Sequence, residues 1–241
     1  MESPEGIRSI QAMLKSGEAP GWEAQRRACP PGRPSISEEE SRHGRKAGVV
    51  ALLCPDKDGR WSVVLMLRTQ DGSPHSGQLS FPGGAEEPGD EGDLLTTALR
   101  ECREEVGVAV HPSRVLGPLT PLFIPPSQFW VHPFVAWSPT TPAFLLQASE
   151  VADVLLLPLD DLPTADQSWP SQKVQVGSRV WETPGCEVGG HILWGATAMM
   201  VAELKEACDR AGFGPSLLKY NWVFFTKPIK FCYCFSTIKS F

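Results

Sequence analysis

Two runs of β-branched and apolar residues, 47–54 (AGVVALLC) and 61–67 (WSVVLML), predict a pair of strands, and Asp58-Gly59 between them supplies the turn of a hairpin. Upstream, Ile7, Ile10, Met13 and Leu14 recur at helical spacing within residues 5–15, which predicts a short amphipathic helix that packs on a core. Residues 16–46 are polar and rich in Gly and Pro, with Pro30, Pro31, Gly32 and Pro34 marking an irregular arm, so the core starts near Lys46. A second helical pattern covers 94–106. Leu95, Leu99, Cys102 and Val106 fall on one face of it, and Gly107 supplies a stop. Further strands are expected at 119–124, 131–137 and 154–157, and another helix at 194–208. Strands mixed with helices predict a layered α/β domain, and no internal repeat is visible.

Composition narrows this picture. A chain of 241 residues with 41% hydrophobic content can fill the core of one medium domain. The reading is an N-terminal helix and arm over 1–45, the domain over 46–212 and a tail over 213–241. The tail has no Asp or Glu, carries Lys219, Lys227, Lys230 and Lys239, and is dense in Phe, Tyr and Trp. It is either a packed appendage or a surface for membrane or nucleic acid. A formal charge of −6 argues against broad attraction to nucleic acid or an anionic membrane, so neither is expected as a partner. No run reaches the roughly 18 apolar residues of a membrane span, and the start, MESPEGIRSIQ, lacks an apolar signal core; the cytoplasm is the expected compartment. The spacing of the seven cysteines predicts reduced thiols, and the lone Cys232/Cys234 pair falls short of the four ligands of a structural zinc site.

The chemistry concentrates in GGAEEPGDEGDLLTTALRECREEVGV, which begins at Gly83. On a helix over 94–106, Glu101, Glu104 and Glu105 are three and four residues apart and share the side opposite the apolar stripe. Like charges held together repel, and a hard divalent cation converts that cost into attraction while keeping positions open for phosphate oxygens. The plain alternative is a solvated face balanced by Arg100 and Arg103.

The order of residues bears on that choice. Arg100-Glu101-Cys102-Arg103-Glu104-Glu105-Val106-Gly107-Val108 resembles the second half of the Nudix box, Gx5Ex7REUxEExGU with U aliphatic. The first half departs from it. Asp90 stands where Glu is usual, and nine residues rather than seven separate it from Arg100, which leaves Asp90 without an assigned role. A longer loop, Leu67-Arg68 and the run HSGQLSFPGG from His75 to Gly84 resemble the coenzyme A pyrophosphatase branch of the family, and the likeness extends over residues 5–210.

This resemblance implies an α/β/α sandwich with a mixed sheet and a loop-helix-loop catalytic motif, and a Mg²⁺- or Mn²⁺-dependent attack of water on phosphorus. It implies Glu104 and Glu105 as metal ligands with the Gly83 carbonyl assisting, and Glu101 as either a further ligand or the base. Arg100 orients a neighbouring carboxylate. Glu150 is either one more acid of the metal site or a strand-edge carboxylate. Arg68, His75 and Gln78, with Gly83 and Gly84, are the implied substrate contacts, although His75 serves equally as a loop brace. The implied partner is a small nucleotide-derived substrate, coenzyme A or its acyl derivatives, and a homodimer is left open. The rivals are a Nudix hydrolase of another nucleoside diphosphate derivative such as ADP-ribose, and a Nudix-fold binding module without catalysis.

Overall fold

The protein is described by a computed structural model covering residues 4–33, 44–72 and 75–213. Strands β1 (Arg45–Pro55) and β2 (Trp61–Arg68) form the expected hairpin, with Leu53 opposite Val63 and Pro55 opposite Trp61. They stay paired only near the turn and then diverge. Into the fork between them run β3 (Leu79–Ser80), paired with β2, and β4 (Gly83–Ala85), paired with β1. On the far side of β1 lies β7 (Phe129–Trp137), parallel to it from Arg45↔Phe129 to Leu53↔Trp137. Strands β5 (Val115–Pro118) and β6 (Leu122–Ile124) pair antiparallel with β7, and β8 (Val151–Pro158) pairs antiparallel with the outer side of β2. One parallel pairing among antiparallel ones makes the sheet mixed.

Both faces of this sheet are covered, which is why β1 and β2 read as continuous apolar runs rather than as alternation. Val50, Leu52, Cys54, Val64 and Met66 pack against Ala98, Cys102 and Val106 of helix α3 (Leu94–Val106). On the other face Val49, Ala51, Leu53, Val63 and Leu65 meet Ile7, Ile10 and Leu14 of α1 (Glu5–Lys15) and Met199, Val201 and Leu204 of α4 (Gly195–Arg210). The result is an α/β/α sandwich. Each of the Val, Leu, Ile and Met side chains among these contributes about 1.5–3 kcal/mol through surface removed from water.

Several elements differ from expectation. The arm is not wholly irregular: α2 (Trp22–Gln25) and a 3-10 turn (Arg26–Ala28) dock on α4 and bury Ala24, Gln25 and Ala28. Of the strand expected at 119–124 only Leu122–Ile124 (β6) forms, with β5 ending just before it at Pro118. Thr120 gives both its N–H and its hydroxyl to the buried carboxylate of Glu203, which pulls the chain out of the ladder between them. Glu203 also accepts from Gln25 Nε2 and the Gly21 N–H, so one carboxylate of α4 fixes the arm and this corner. A small antiparallel sheet of β9 (Ser171–Val176), β10 (Arg179–Val188) and β11 (His191–Trp194) was not expected.

Among the described residues Cys29, Cys54, Cys102, Cys186 and Cys208 are free thiols, and no helix is long and apolar enough to cross a membrane. Phe213 is buried against Trp61, with ring centroids 5.0 Å apart. The rest of the tail, with Cys232 and Cys234, lies outside the described residues.

Candidate active site

The N-terminus of α3 is capped by Asp93, whose carboxylate accepts the Leu95 N–H at 3.1 Å, and its C-terminus ends in Gly107 at φ 74°, a conformation that favours glycine. Between these caps the apolar stripe faces the sheet and the acidic side leans over the fork where β3 and β4 enter. The three glutamates of that side stand in different surroundings.

Glu105 is buried. Its Oε2 accepts the Gly83 N–H at 2.8 Å, and its Oε1 lies 3.8 Å from a guanidinium nitrogen of Arg68, the last residue of β2. Burial pushes its carboxyl up to about 8, and the charges of Glu101 and Glu150 add to that while the Gly83 N–H and Arg68 oppose it. Glu101 is partly buried and is also raised, first by burial, with Arg100 pulling the other way. Gly84 lies directly beneath it: a Cβ there would come 2.4 Å from Glu101 Oε1, so only glycine lets the carboxylate settle on β4. Glu104 is exposed on the outer flank and turns toward Arg100.

Arg100 joins the loop to the helix. Its Nε and Nη2 donate to the two oxygens of Asp90 at 3.0 and 2.9 Å, and Nη2 also donates to the Ala85 carbonyl at 3.2 Å. Its Nη1 donates to Glu101 at 3.0 Å and Glu104 at 3.1 Å. Asp90 is buried, accepts Thr97 Oγ1 and the Glu87 N–H at 2.9 Å each, and is held well below the usual carboxylate range, first by the Arg100 guanidinium. The residue that sequence reasoning left without a role therefore anchors the lengthened loop. Its signal was weak, because an Asp in a loop with four other acids reads as solvated.

The other candidates gather beside Glu105. Arg68 donates its N–H to the Gln78 carbonyl at 3.1 Å, and His75 Nδ1 sits 3.3 Å from Gln78 Oε1, so His75 braces the 75–78 turn; its Nε2 is shielded from solvent and has no partner among the described residues. The Glu150 carbonyl accepts the Thr69 N–H at 2.9 Å, which brings the start of β8 to the end of β2 beside Arg68. Its side chain is exposed, and its charge reaches both Glu101 and Glu105.

A donor set made of carboxylate oxygens suits a hard divalent ion, which would offset both the burial that chiefly raises Glu101 and Glu105 and the neighbouring negative charges that add to it. In this arrangement, however, Arg100 holds one oxygen each of Glu101 and Glu104. Among the described residues no three His, Cys, Asp or Glu side chains converge on one point that could hold a metal ion. For the three glutamates to share a cation, Glu101 and Glu104 would have to turn from Arg100 toward Glu105.

The NUDIX domain model matches residues 44–179. The chain is similar to the human mitochondrial coenzyme A diphosphatase NUDT8, with 36% identity over 144 residues that cover 59% of this chain and 61% of that protein. It is also similar to the uncharacterized Nudix hydrolase NudL of Yersinia pestis strain Pestoides F, with 29% identity over 164 residues, 67% of this chain and 78% of that one. Among solved structures, a MutT/nudix family protein from Enterococcus faecalis superposes with a TM-score of 0.48 at 16% identity, over 71% of this chain and 62% of the other.

Proposed function

Because the chain belongs to the Nudix family, we propose that it is a pyrophosphohydrolase that cleaves coenzyme A or acyl-coenzyme A to 3′,5′-ADP and (acyl-)4′-phosphopantetheine with Mg²⁺ or Mn²⁺. The observation that carries the proposal is the burial of Glu105 between the Gly83 N–H and Arg68, with Glu101 and Glu150 in its field. A buried carboxylate flanked by a guanidinium and bordered by further acids is arranged for a cation and a diphosphate together. The coenzyme A branch is supported by the His75-to-Gly84 run and by the likeness to the human diphosphatase.

When bound, the divalent ion neutralises the diphosphate and lowers the pKa of the attacking water. Glu101, Glu104 and Glu105 would hold it, with the Gly83 carbonyl and Glu150 as further oxygens. Glu101 is a ligand or accepts the proton of the water. Arg100, fixed by Asp90, sets the rotamers from which Glu101 and Glu104 swing. Arg68, with His75 and Gln78 behind it, receives the substrate at the Glu105 side, and Gly83 and Gly84 keep the floor low enough for the diphosphate to reach the carboxylates.

The test is a panel of coenzyme A, acyl-coenzyme A, ADP-ribose and other nucleoside diphosphate derivatives, with Mg²⁺ or Mn²⁺ and identified products. Release of 3′,5′-ADP is the expected result. Intact coenzyme A beside rapid turnover of ADP-ribose would replace the substrate, and inertness toward the whole panel would leave a binding module. The cytoplasm is the proposed compartment, and fractionation of cells expressing the full chain would move it to mitochondria if the chain shares the location printed in its human relative's name.

A further inference from the structure

The last carbonyls of a helix have no partner within it and are ordinarily left to water. At the C-terminus of α3 they are not. The Gly107 N–H takes the Arg103 carbonyl at 3.1 Å, but the Val106 and Glu105 carbonyls are taken by a remote segment: Leu145 N–H donates to Val106 at 3.0 Å and Gln147 N–H to Glu105 at 2.9 Å. The segment runs along the helix end with Phe144 and Leu146 packed into the core and Leu145 outward, 78% exposed. It fits only because residue 107 has no side chain; a Cβ on Gly107 would meet the Leu145 Cβ at 2.7 Å and its backbone N and O at 2.9 Å.

Three residues farther on, the same segment delivers Glu150. The Gln147 carbonyl accepts the N–H groups of both Glu150 and Val151 at 2.9 Å, closing a turn. On the other side Thr69 grips it, N–H to the Glu150 carbonyl at 2.9 Å and Oγ1 to the Ser149 carbonyl at 3.1 Å. Gln147 is thus bonded through its N–H to the main chain of Glu105 and through its carbonyl to the main chain of Glu150, and the charge of Glu150 in turn bears on the Glu105 carboxylate.

We propose that residues 145–150 act as a strap that positions Glu150 in the carboxylate cluster, with Gln147 as its key positioning residue and the bare Gly107 as its seat. The inference rests on the reading of Glu150 as part of that cluster. The strap makes the acid from β8 move with α3, so that Glu105 and Glu150 keep their spacing while the flank facing Arg100 rearranges. Its main-chain bonds carry no side-chain signature, which is why nothing in the residues 143–150 marks it.

The test is a double-mutant cycle on the full chain. Gln147→Pro removes the N–H given to Glu105 and keeps the carbonyl that binds Glu150. Gly107→Ala lifts the strap from its seat. Each is expected to lower kcat about tenfold or more with KM little changed, as sub-ångström misplacement of a catalytic group does, and to weaken Mn²⁺ binding measured by calorimetry. In a Glu150→Gln background neither should cost anything further. Additive losses in kcat and Mn²⁺ affinity would overturn the strap, as would a Glu150→Gln variant with wild-type affinity and turnover. If Gln147→Pro fails to fold, Gly107→Ala completes the cycle. The Mn²⁺ readout needs no substrate, and turnover is read on whichever diphosphate the chain hydrolyses, so failure on coenzyme A rejects the substrate proposal alone.

Discussion

The Gly83 N–H donates to Glu105 Oε2 at 2.8 Å, and this one main-chain bond ties the strand in the fork of the sheet to the acidic side of α3. It also sets the titration of the site. A carboxyl pushed up to about 8 keeps its proton in the folded, metal-free chain at pH 7, whereas in the unfolded chain it ionises near 4.5. Its folded pKa is raised, so the stability it permits is fully present below about pH 4.5 and is lost as pH rises toward 8. Glu105→Gln should abolish that loss. Thermal melts of metal-free protein should show the variant level with wild type at pH 4.5 and ahead by roughly 5 °C at pH 9. Parallel curves at all pH values would place Glu105 in water rather than in the fork.

If Glu105 takes up a cation, the same proton must leave. Calorimetric titration of Mn²⁺ at pH 7 in buffers of different ionisation enthalpy should show release of about one proton per site, and Glu105→Gln should release none. Equal heats in all buffers for wild type would remove Glu105 from the metal site.

Asp90→Asn tests the anchor. Asparagine keeps the shape but leaves the Arg100 guanidinium facing a neutral group in a buried setting. Losing the charge of one partner in such a pair costs up to about 3–5 kcal/mol. Because the Asp90 pKa is depressed, its contribution is present above the ordinary carboxylate value of 3.8 and lost as pH falls below it. Wild type and variant should therefore differ in urea midpoint at pH 7 and converge as pH falls below 3.8. Turnover should fall with stability, since Arg100 sets Glu101 and Glu104.

How much of this was legible beforehand depends on what kind of residue marks each element. Helix α3 was readable because Leu99, Cys102 and Val106 recur at its period while the glutamates fill the other side; β1, β2 and β7 were readable from their apolar runs. The β9–β10 hairpin was not, because Lys173, Gln175, Val180, Trp181 and Glu182 are exposed, Gln172 stands where an apolar residue would continue the face of Val174, and no alternating apolar stripe survives. Glu203 was invisible for the opposite reason: a glutamate within a helix reads as solvated, yet this one is buried by four donors from two distant segments. The three acids of α3 were placed on one side by period alone, and what period could not give was their unequal depth, which Gly83, Gly84 and Arg100 decide.

Glu104 exposes that inequality. Its side chain is 56% exposed and its contact with Arg100 is a surface pair four residues apart, worth less than about 1 kcal/mol. Glu104→Gln should leave the melting temperature unchanged. If Glu104 swings onto the cation, the same substitution should lower kcat on the order of 100-fold, as loss of a group that organises charge at the reacting phosphorus does. Retained turnover would mean that Glu104 only balances Arg100.

Gly84→Ala asks whether the depth of Glu101 matters. Gly84 is paired with Gly48 in β4 and has no left-handed φ, so its backbone accepts alanine; the obstacle is the Glu101 carboxylate, 2.4 Å from the new Cβ at Oε1 and 2.5 Å at Cδ. A flexible side-chain end yields before a strand does, so Glu101 should be driven outward toward Arg100, which already holds its Oε1. The fold should survive with a melting temperature within about 4 °C of wild type, since no core residue is displaced. Turnover should drop at least about tenfold, because a carboxylate moved by the width of a methyl group no longer meets the diphosphate at the right distance. If Gly84→Ala acts through Glu101 alone, adding it to Glu101→Gln should cost nothing more in kcat. A further drop in the double variant would show instead that the bare floor at residue 84 is needed by the substrate itself.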